Sequence, residues 1–547
     1  MVRRWNGWGD DSIDFALDKD ALAFLQSRIG RGTAPAEATL DEVCGNIPPG
    51  RLRPNPAVDT TPRTRLLNGL GQSMQDWLRL RYGRIGALPD GVAFPESSEQ
   101  VRELLDYAAR CGAAVIPYGG GTSVVGHLGA PDGDRPVLTI NLSRLSRLLD
   151  IDPQAQLASF GAGVAGPDLE AQLRARGFTL GHFPQSFEYS TLGGWVVTRS
   201  SGQQSLRYGR IEQLFAGGRL EAPSGTLIVP SFPASAAGTD LREMVLGSEG
   251  RIGILTEATV RVTPLPAAES FHAVFFPAWA EAERAIRALA QSKLPLSMLR
   301  LSNPSETLTT LTLAGHRKLI DLMERYLRWR SCKHDKCLLL MGVTGDKAMH
   351  RATLDEALRL ARTHKGIHVG RAIGKRWKAN RFRSVYLRNS LWRHGYAVDT
   401  VETAVAWPTV WSMMRAVEQT AANALALEGE KVHAYTHLSH VYPTGASVYS
   451  TFVYRLSGDF EQDHARWRRL KTMVSHAIVA NGGTISHQHG VGADHAPFLA
   501  AEKGELGIGA LRSLYRHFDP QGMMNPGKTV SDENDAEAGG YVARKLA

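Results

Sequence analysis

Apolar residues at Val101, Leu104, Leu105 and Ala108 recur every three or four positions, the interval that gathers side chains on one face of an α-helix. Ser97 with Gln100 three residues on has the form of a capping box at its start, and Gly112 suits its stop. The next run, 113–118, is short and apolar, as a buried strand is, and it empties into three consecutive glycines. Further strands are expected at 137–142, 214–221, 226–230 and 252–262, with a hairpin around Asp152-Pro153 and a helix over 167–176. Pro264-Leu265-Pro266 breaks this pattern and marks a domain boundary.

Beyond it the pattern repeats as two α+β halves. Strands at 271–276, 296–301, 337–343 and 367–370 surround helices at 278–291 and 347–364. Strands at 398–406 and across 432–454 then surround helices at 408–427 and 461–481, and a last helix is expected at 510–518. Before residue 85 lie early tryptophans, a proline-rich connector over 48–62 and a helix at 61–81. The chain therefore divides into an N-terminal helical extension (1–84), a first domain (85–266), a second domain (267–530) and an acidic, glycine-bearing tail (531–547) expected to be disordered.

With 547 residues, 43% hydrophobic and 21% charged, the composition is that of a soluble globular protein larger than one ordinary domain. The net charge of +9 comes from scattered basic residues without an aromatic-interleaved tract, so nucleic acid is not an expected partner. Four cysteines are too few for a disulfide framework. Cys332 and Cys337 flank His334, but no second ligand cluster has suitable spacing, and Cys337 opens an apolar run as a core thiol would. The first thirty residues lack the apolar core of a signal peptide, and no run of about 18 apolar residues occurs, so a cytoplasmic protein is expected.

The 55 glycines, about 10% against a usual ~7%, concentrate the chemistry. Three segments stand beside strand-like sequence: Pro117-Tyr118-Gly119-Gly120-Gly121-Thr122-Ser123, Thr191-Leu192-Gly193-Gly194 and Gly247-Ser248-Glu249-Gly250-Arg251-Ile252-Gly253. Successive N–H groups of such loops form anion-binding concavities, and three of them suit a long dinucleotide. Gly161-Ala162-Gly163-Val164-Ala165-Gly166 is a literal G-x-G-x-x-G. Its preceding strand reads as half of a hairpin and its helix does not lead to a parallel strand, so a Rossmann site is not expected there.

The wording of these segments resembles the PCMH-type FAD-binding domain of the vanillyl-alcohol-oxidase flavoprotein superfamily. From His182-Phe183-Pro184-Gln185-Ser186-Phe187-Glu188-Tyr189-Ser190-Thr191 onward the chain resembles, more narrowly, the alkyldihydroxyacetonephosphate (alkylglycerone-phosphate) synthase family. The likeness runs from about Arg65 to Gly527. It implies an α+β fold, with a two-subdomain FAD-binding domain followed by a substrate (cap) domain of FAD-linked oxidase type. It implies that Pro117 to Ser123 hold the FAD pyrophosphate. Gln185, Ser186, Ser190, Thr191, Gly193, Gly194, Thr198, Arg199, Ser200 and Ser201 would continue along the cofactor, and Gly247, Ser248, Glu249, Gly250, Ile252 and Gly253 would close over it. Thr122 stands where some relatives carry a flavin-linking histidine, so non-covalent FAD is expected.

The same resemblance assigns the chemistry. Arg388 matches the arginine that binds the substrate phosphate, a task suited to a guanidinium fork. Tyr442 matches the tyrosine that moves a proton on the substrate carbon, Arg300 a further active-site arginine, and His487-Gln488-His489 a tri-histidine loop beside the flavin. The implied reaction replaces the acyl group of an acyl-dihydroxyacetone phosphate by a long-chain alcohol through a flavin N5 adduct, with no net redox change. Gln488 departs from the family, since an amide neither accepts a proton near neutral pH nor ligates a metal well. That departure keeps an alternative in play: an FAD-linked dehydrogenase oxidising a D-2-hydroxy acid such as lactate or glycolate. His437 and His440, three apart on a strand, point to opposite faces, so no metal is expected. The expected partner is a small or lipid-like phosphate substrate, with peripheral membrane contact and a homodimer left open.

Overall fold

A computed structural model of the chain describes residues 3–313 and 317–530; the tail over 531–547 lies outside the described residues. The first sheet contains β1 (Val58–Asp59), β2 (Gly91–Ala93), β3 (Ala114–Tyr118) and β4 (Val137–Asn141) in the order β1-β2-β4-β3. β2, β4 and β3 run parallel, and the helix Ser98–Arg110 places Val101, Leu104, Leu105 and Ala108 in the core beneath them. Ser97 caps that helix by accepting from Gln100 N.

The second sheet is antiparallel: β5 (Leu148–Asp152), β6 (Leu157–Gly161), β8 (Phe215–Ala222), β9 (Gly225–Val229) and β10 (Ile254–Arg261), in the order β5-β6-β10-β8-β9. Apart from it, β7 (Phe178–Thr179) pairs antiparallel with β11 (Thr263–Pro264). The glycine motif at 161–166 thus ends a hairpin strand, and the helix after it, Gly166–Arg174, leads to the antiparallel β7. No parallel crossover follows, which is the arrangement a Rossmann site would require.

The cap is one antiparallel sheet of seven strands: β12 (Ala268–Phe276), β13 (Leu296–Ser302), β14 (Cys337–Gly345), β15 (Ile367–His368), β16 (Tyr396–Ala406), β17 (His433–Leu438) and β18 (Gly445–Arg455). Their order is β15-β12-β14-β13-β17-β18-β16, so the two sequence halves fuse where β13 meets β17, at Leu301 opposite Leu438 and Ser302 opposite His437. Helices Trp279–Gln291, Lys347–Thr363, Val410–Ala424 and Phe460–Ala480 supply much of the core that packs on this sheet.

Several elements differ from expectation. The helix expected over 61–81 is two, Pro62–Leu67 and Met74–Tyr82, because Gly69 and Gly71 interrupt it and Ser73 with Asp76 builds a fresh capping box. The segment before residue 85 is built into the cap: Trp8, Met74, Trp77 and Leu78 share its main core with Leu339, Trp392 and Trp407. Asn389 fastens it, accepting from Trp8 N at 3.1 Å and donating to Trp8 O at 2.9 Å. Helices at Pro304–Leu313, Arg317–Trp329, Ala372–Asn380 and Leu387–Arg393 were not expected. The helix Leu499–Phe518 begins well before 510, with a break at Gly504. Among the described residues no helix is long and apolar enough to cross a membrane.

Candidate active site

The glycine loop leaving β3 folds against the chain at 189–191. A Cβ at Gly120 would stand 1.8 Å from the Tyr189 carbonyl oxygen, so that position requires glycine, and one at Gly119 would stand 2.3 Å from Thr191 Oγ1, which would have to turn away. Thr191 opens the helix Leu192–Val197, whose Thr198 hydroxyl donates to Gly194 O. The Ser190 hydroxyl accepts from Trp195 Nε1, and Ser200 meets buried His182 at 3.2 Å. Burial holds that imidazole down at about 3. The Ser201 and Ser248 hydroxyls are buried without a hydrogen-bond partner. Glycine loops with free hydroxyls buried beside them fit the pyrophosphate and polar edges of FAD.

Not every residue expected along the cofactor points into this cradle. Gln185 donates to Ser384 of the cap, Arg199 pairs with Glu243, and Ile252 is fully buried in the core of the second sheet. The Glu249 carboxylate serves the neighbouring loop, accepting from Val491 N at 2.5 Å and Gly492 N at 2.8 Å and meeting His127 Nε2 at 2.8 Å. The glycine loop 247–253 is thereby tied to the histidine loop.

Tyr442 occupies the tight bend joining β17 to β18. Its N–H donates to Gly445 O at 2.8 Å, and Trp407 Nε1 donates to the carbonyls of Tyr442 and Pro443. Its phenol oxygen lies 2.6 Å from His487 Nε2 and accepts from Arg210 Nη1 at 3.2 Å. Burial raises the phenol above its ordinary value, and the Arg210 charge opposes this. Burial holds His487 at about 4, so the imidazole is neutral near pH 7, while the adjacent Glu402 acts in the other direction.

His487 and His489, in a bent loop, both turn toward one carboxylate. His487 Nδ1 lies 3.2 Å and His489 Nε2 3.9 Å from the Glu402 carboxylate on β16. Gln488, between them, keeps a buried Oε1 without a hydrogen-bond partner.

The two arginines differ. Arg388, on the helix Leu387–Arg393, lays its guanidinium over Trp77 at 4.2 Å and donates from Nη1 to Gln72 O at 2.6 Å. Its Nε is buried without a partner, and burial lowers it to about 10. Arg300 is already paired, 2.6 Å from Glu306 and 3.2 Å from His437 Nδ1. His437 stacks on Tyr449, and Tyr449 meets His489 edge-on, so Arg300 reaches the histidine loop only through these rings.

Sequence reasoning missed Glu402, Arg210 and the role of His440. His437 and His440 do diverge, the first toward Glu306 and the second toward Glu402. Glu402, His440 and His487 nevertheless place one donor atom each within 4.8 Å of one another, the sort of trio that could hold a cation. Three of the four ring nitrogens of the trio have partners: His440 Nε2 lies 3.2 Å from Gly202 O and its Nδ1 2.9 Å from Ser439 Oγ, and His487 Nε2 lies 2.6 Å from the Tyr442 oxygen, while His487 Nδ1 is buried without a hydrogen-bond partner. A carboxylate in the middle of the apolar strand 398–406, which also carries Asp399, was the signal for Glu402. Arg210 directly follows the conspicuous Tyr208-Gly209.

Comparison with known proteins places this geometry. Residues 89–230 match an FAD binding domain and residues 265–529 the C-terminal domain of FAD linked oxidases. An alkyldihydroxyacetonephosphate synthase of Dictyostelium discoideum is 32% identical over 86% of this chain and 79% of its own length. A mitochondrial cytochrome D-lactate dehydrogenase of Arabidopsis thaliana is 24% identical over 81% and 74%. A solved alkyldihydroxyacetonephosphate synthase superposes with a TM-score of 0.83 at 27% identity, covering 96% of this chain and 98% of that one.

Proposed function

Because the chain belongs to the alkyldihydroxyacetonephosphate synthase family, we propose that it replaces the acyl group of an acyl-dihydroxyacetone phosphate by a long-chain alcohol, making an ether lipid precursor. Its cofactor is FAD. The fatty acyl group leaves as a carboxylic acid and the alcohol oxygen takes its place on the same carbon, so no electrons are gained or lost overall. When bound, FAD supplies the reactive isoalloxazine ring at which this exchange occurs.

The chain's own residues bind, orient and move protons. Arg388 takes the substrate phosphate; its orphaned Nε and the aromatic platform of Trp77 support that role. Tyr442 removes and returns the proton of the reacting carbon, and His487 exchanges it with the phenol. His489 lies beside the same carboxylate and polarises substrate oxygen. Arg300, bound to Glu306 and His437, fixes the Tyr449 wall behind His489. The observation that carries this reading is the Tyr442 phenol held 2.6 Å from a buried, neutral imidazole.

A lipid-like substrate also implies peripheral membrane contact. On the helix Arg317–Trp329, Leu322, Tyr326 and Trp329 are exposed beside Arg325 and Arg328, a combination suited to an anionic lipid surface. The reaction is tested by supplying acyl-dihydroxyacetone phosphate with a tail-labelled long-chain alcohol. Label appearing in an alkyl-dihydroxyacetone phosphate, with one free fatty acid released per ether formed, is expected. Fatty acid release without labelled ether would refute it.

A further inference from the structure

Tyr442 as an acid–base group requires a neighbour that takes its proton without trapping it, and a charge that holds the phenolate while it exists. Resting on the synthase reading above, we propose that Glu402 is the positioning carboxylate of a Tyr442–His487 proton relay, and that Arg210 is the cation that stabilises the Tyr442 phenolate.

The geometry is that of three groups in series. Glu402 is 1% exposed, on the strand whose backbone also accepts from His487 N at 3.1 Å. Its carboxylate stands 3.2 Å from His487 Nδ1, and the Tyr442 phenol stands 2.6 Å from Nε2 of the same ring. The carboxylate charge close to Nδ1, although not aligned for a hydrogen bond with it, favours the tautomer protonated there and leaves the Nε2 lone pair for the phenol. Ser439 donates its hydroxyl to Glu402, and His440 lies 3.6 Å from it, held from behind by Gly202 O. With His487 and His489, these are the polar groups facing the carboxylate. Burial opposes its charge, yet its neighbours His487 and His440 draw it well below the ordinary carboxylate range.

The other end of the relay faces Arg210. Its Nη1 lies 3.2 Å from both the Tyr442 oxygen and His487 Nε2, and its Nη2 donates to His487 O at 3.1 Å. Glu212 holds its Nε side at 2.8 Å. Arg210, Glu212, Glu402 and His487 are the charged or titratable groups acting on the phenol. When the phenol O–H bond breaks, an N–H bond forms at His487 Nε2, and the resulting imidazolium is balanced by Glu402 while the phenolate is balanced by Arg210. The phenolate then takes the proton of the substrate carbon, breaking that C–H bond and forming a new phenol O–H. The C–H electron pair passes into the adjacent substrate ketone as an enolate, and the sequence runs backward to return the proton, so each bond broken is matched by one formed.

The test compares the FAD-loaded parent with Glu402→Gln, Glu402→Asp and Arg210→Gln. Glu402→Gln is expected to lower kcat by about 100- to 1,000-fold with KM within threefold and flavin content unchanged. Glu402 raises the basicity of His487, so its removal moves the acid limb of the kcat profile to lower pH; Glu402→Asp recovers part of the rate. A readout independent of turnover is phenolate absorbance at 295 nm, taken as a difference against Tyr442→Phe: Arg210→Gln is expected to move the Tyr442 ionisation at least one pH unit upward. A parent-like kcat with an unmoved acid limb in Glu402→Gln overturns the Glu402 role, and an unmoved phenol in Arg210→Gln overturns that of Arg210. One divalent metal ion per chain in the parent would overturn both by placing a cation where the relay stands. If the parent itself makes no ether, the synthase reading fails, while the 295 nm titration still decides the role of Arg210.

Discussion

Replacing Tyr442 by Phe removes one hydroxyl and leaves the ring in its bend. The parent phenol makes two contacts, 2.6 Å to His487 and 3.2 Å from Arg210. Losing them leaves Arg210 Nη1 and His487 Nε2, 3.2 Å apart, to pair with each other, so the stability cost is that of the lost hydrogen bonds alone, about 0.5–1.5 kcal/mol each. The catalytic loss is larger. A positioned proton-transfer group contributes about 100- to 10,000-fold, equivalent to roughly 3–5 kcal/mol of barrier. Flavin absorbance near 450 nm, measured per mole of chain, should be unchanged, because Tyr442 lies on the cap and not in the glycine cradle. Initial rates of labelled-alcohol incorporation, measured at saturating substrate, should therefore fall at least 100-fold with full flavin content. A Tyr442→Phe protein within threefold of the parent would refute the assignment of proton transfer to this residue.

Other outcomes follow from the same contacts. Arg388→Lys keeps the charge but loses the fork, so KM for the phosphate substrate should rise about 10- to 100-fold with kcat changed less than threefold; the opposite split would remove Arg388 from phosphate binding. Gly120→Ala drives a Cβ into the Tyr189 carbonyl and should yield folded protein that retains under a tenth of the parent FAD after gel filtration. Buried His182 and His487 have folded values of about 3 and about 4, below the unfolded 6.5, so the unfolded chain binds protons first as pH falls. Each group then takes away about 1.4 kcal/mol per pH unit below 6.5, until its folded value is reached. Urea midpoints should accordingly be lower at pH 5 than at pH 7.5, and equal midpoints would contradict that burial. Trp329→Glu with Leu322→Glu should reduce sedimentation with phosphatidylglycerol vesicles several-fold; undiminished sedimentation would exclude this helix as the contact.

Much of the fold was legible because it rests on local patterns. The alternation over 252–262 and the helical spacing after Ser97 each fix which face is buried, and β10 and the helix Ser98–Arg110 follow. The helix expected at 61–81 failed because its apolar positions continue through Gly69 and Gly71, where a second cap wins over continuation. The N-terminal segment read as an appendage because its partners, Tyr386, Asn389 and Trp392, lie more than 300 residues away, and periodicity carries no such information. At the site, the wording around Tyr442 and His487 singled out two side chains that the fold brings within 2.6 Å of each other. Glu402 was not, since its meaning lies in three histidines brought to it by two other segments, and nothing in the strand itself sets it apart from Asp399. The loop hydroxyls and glycines of the cradle were legible as a class, but not the diversion of Glu249 to the backbone of Val491 and Gly492.

Anaerobic mixing of the FAD-loaded protein with its candidate substrates bears most directly on whether the site exchanges groups or removes hydride. With acyl-dihydroxyacetone phosphate and a long-chain alcohol, labelled ether should accumulate over many turnovers, and D-lactate or glycolate should leave the 450 nm band intact for as long. Stoichiometric bleaching of that band by a D-2-hydroxy acid, with no ether formed from the acyl substrate, would contradict the synthase assignment and place the chain among the FAD-linked dehydrogenases.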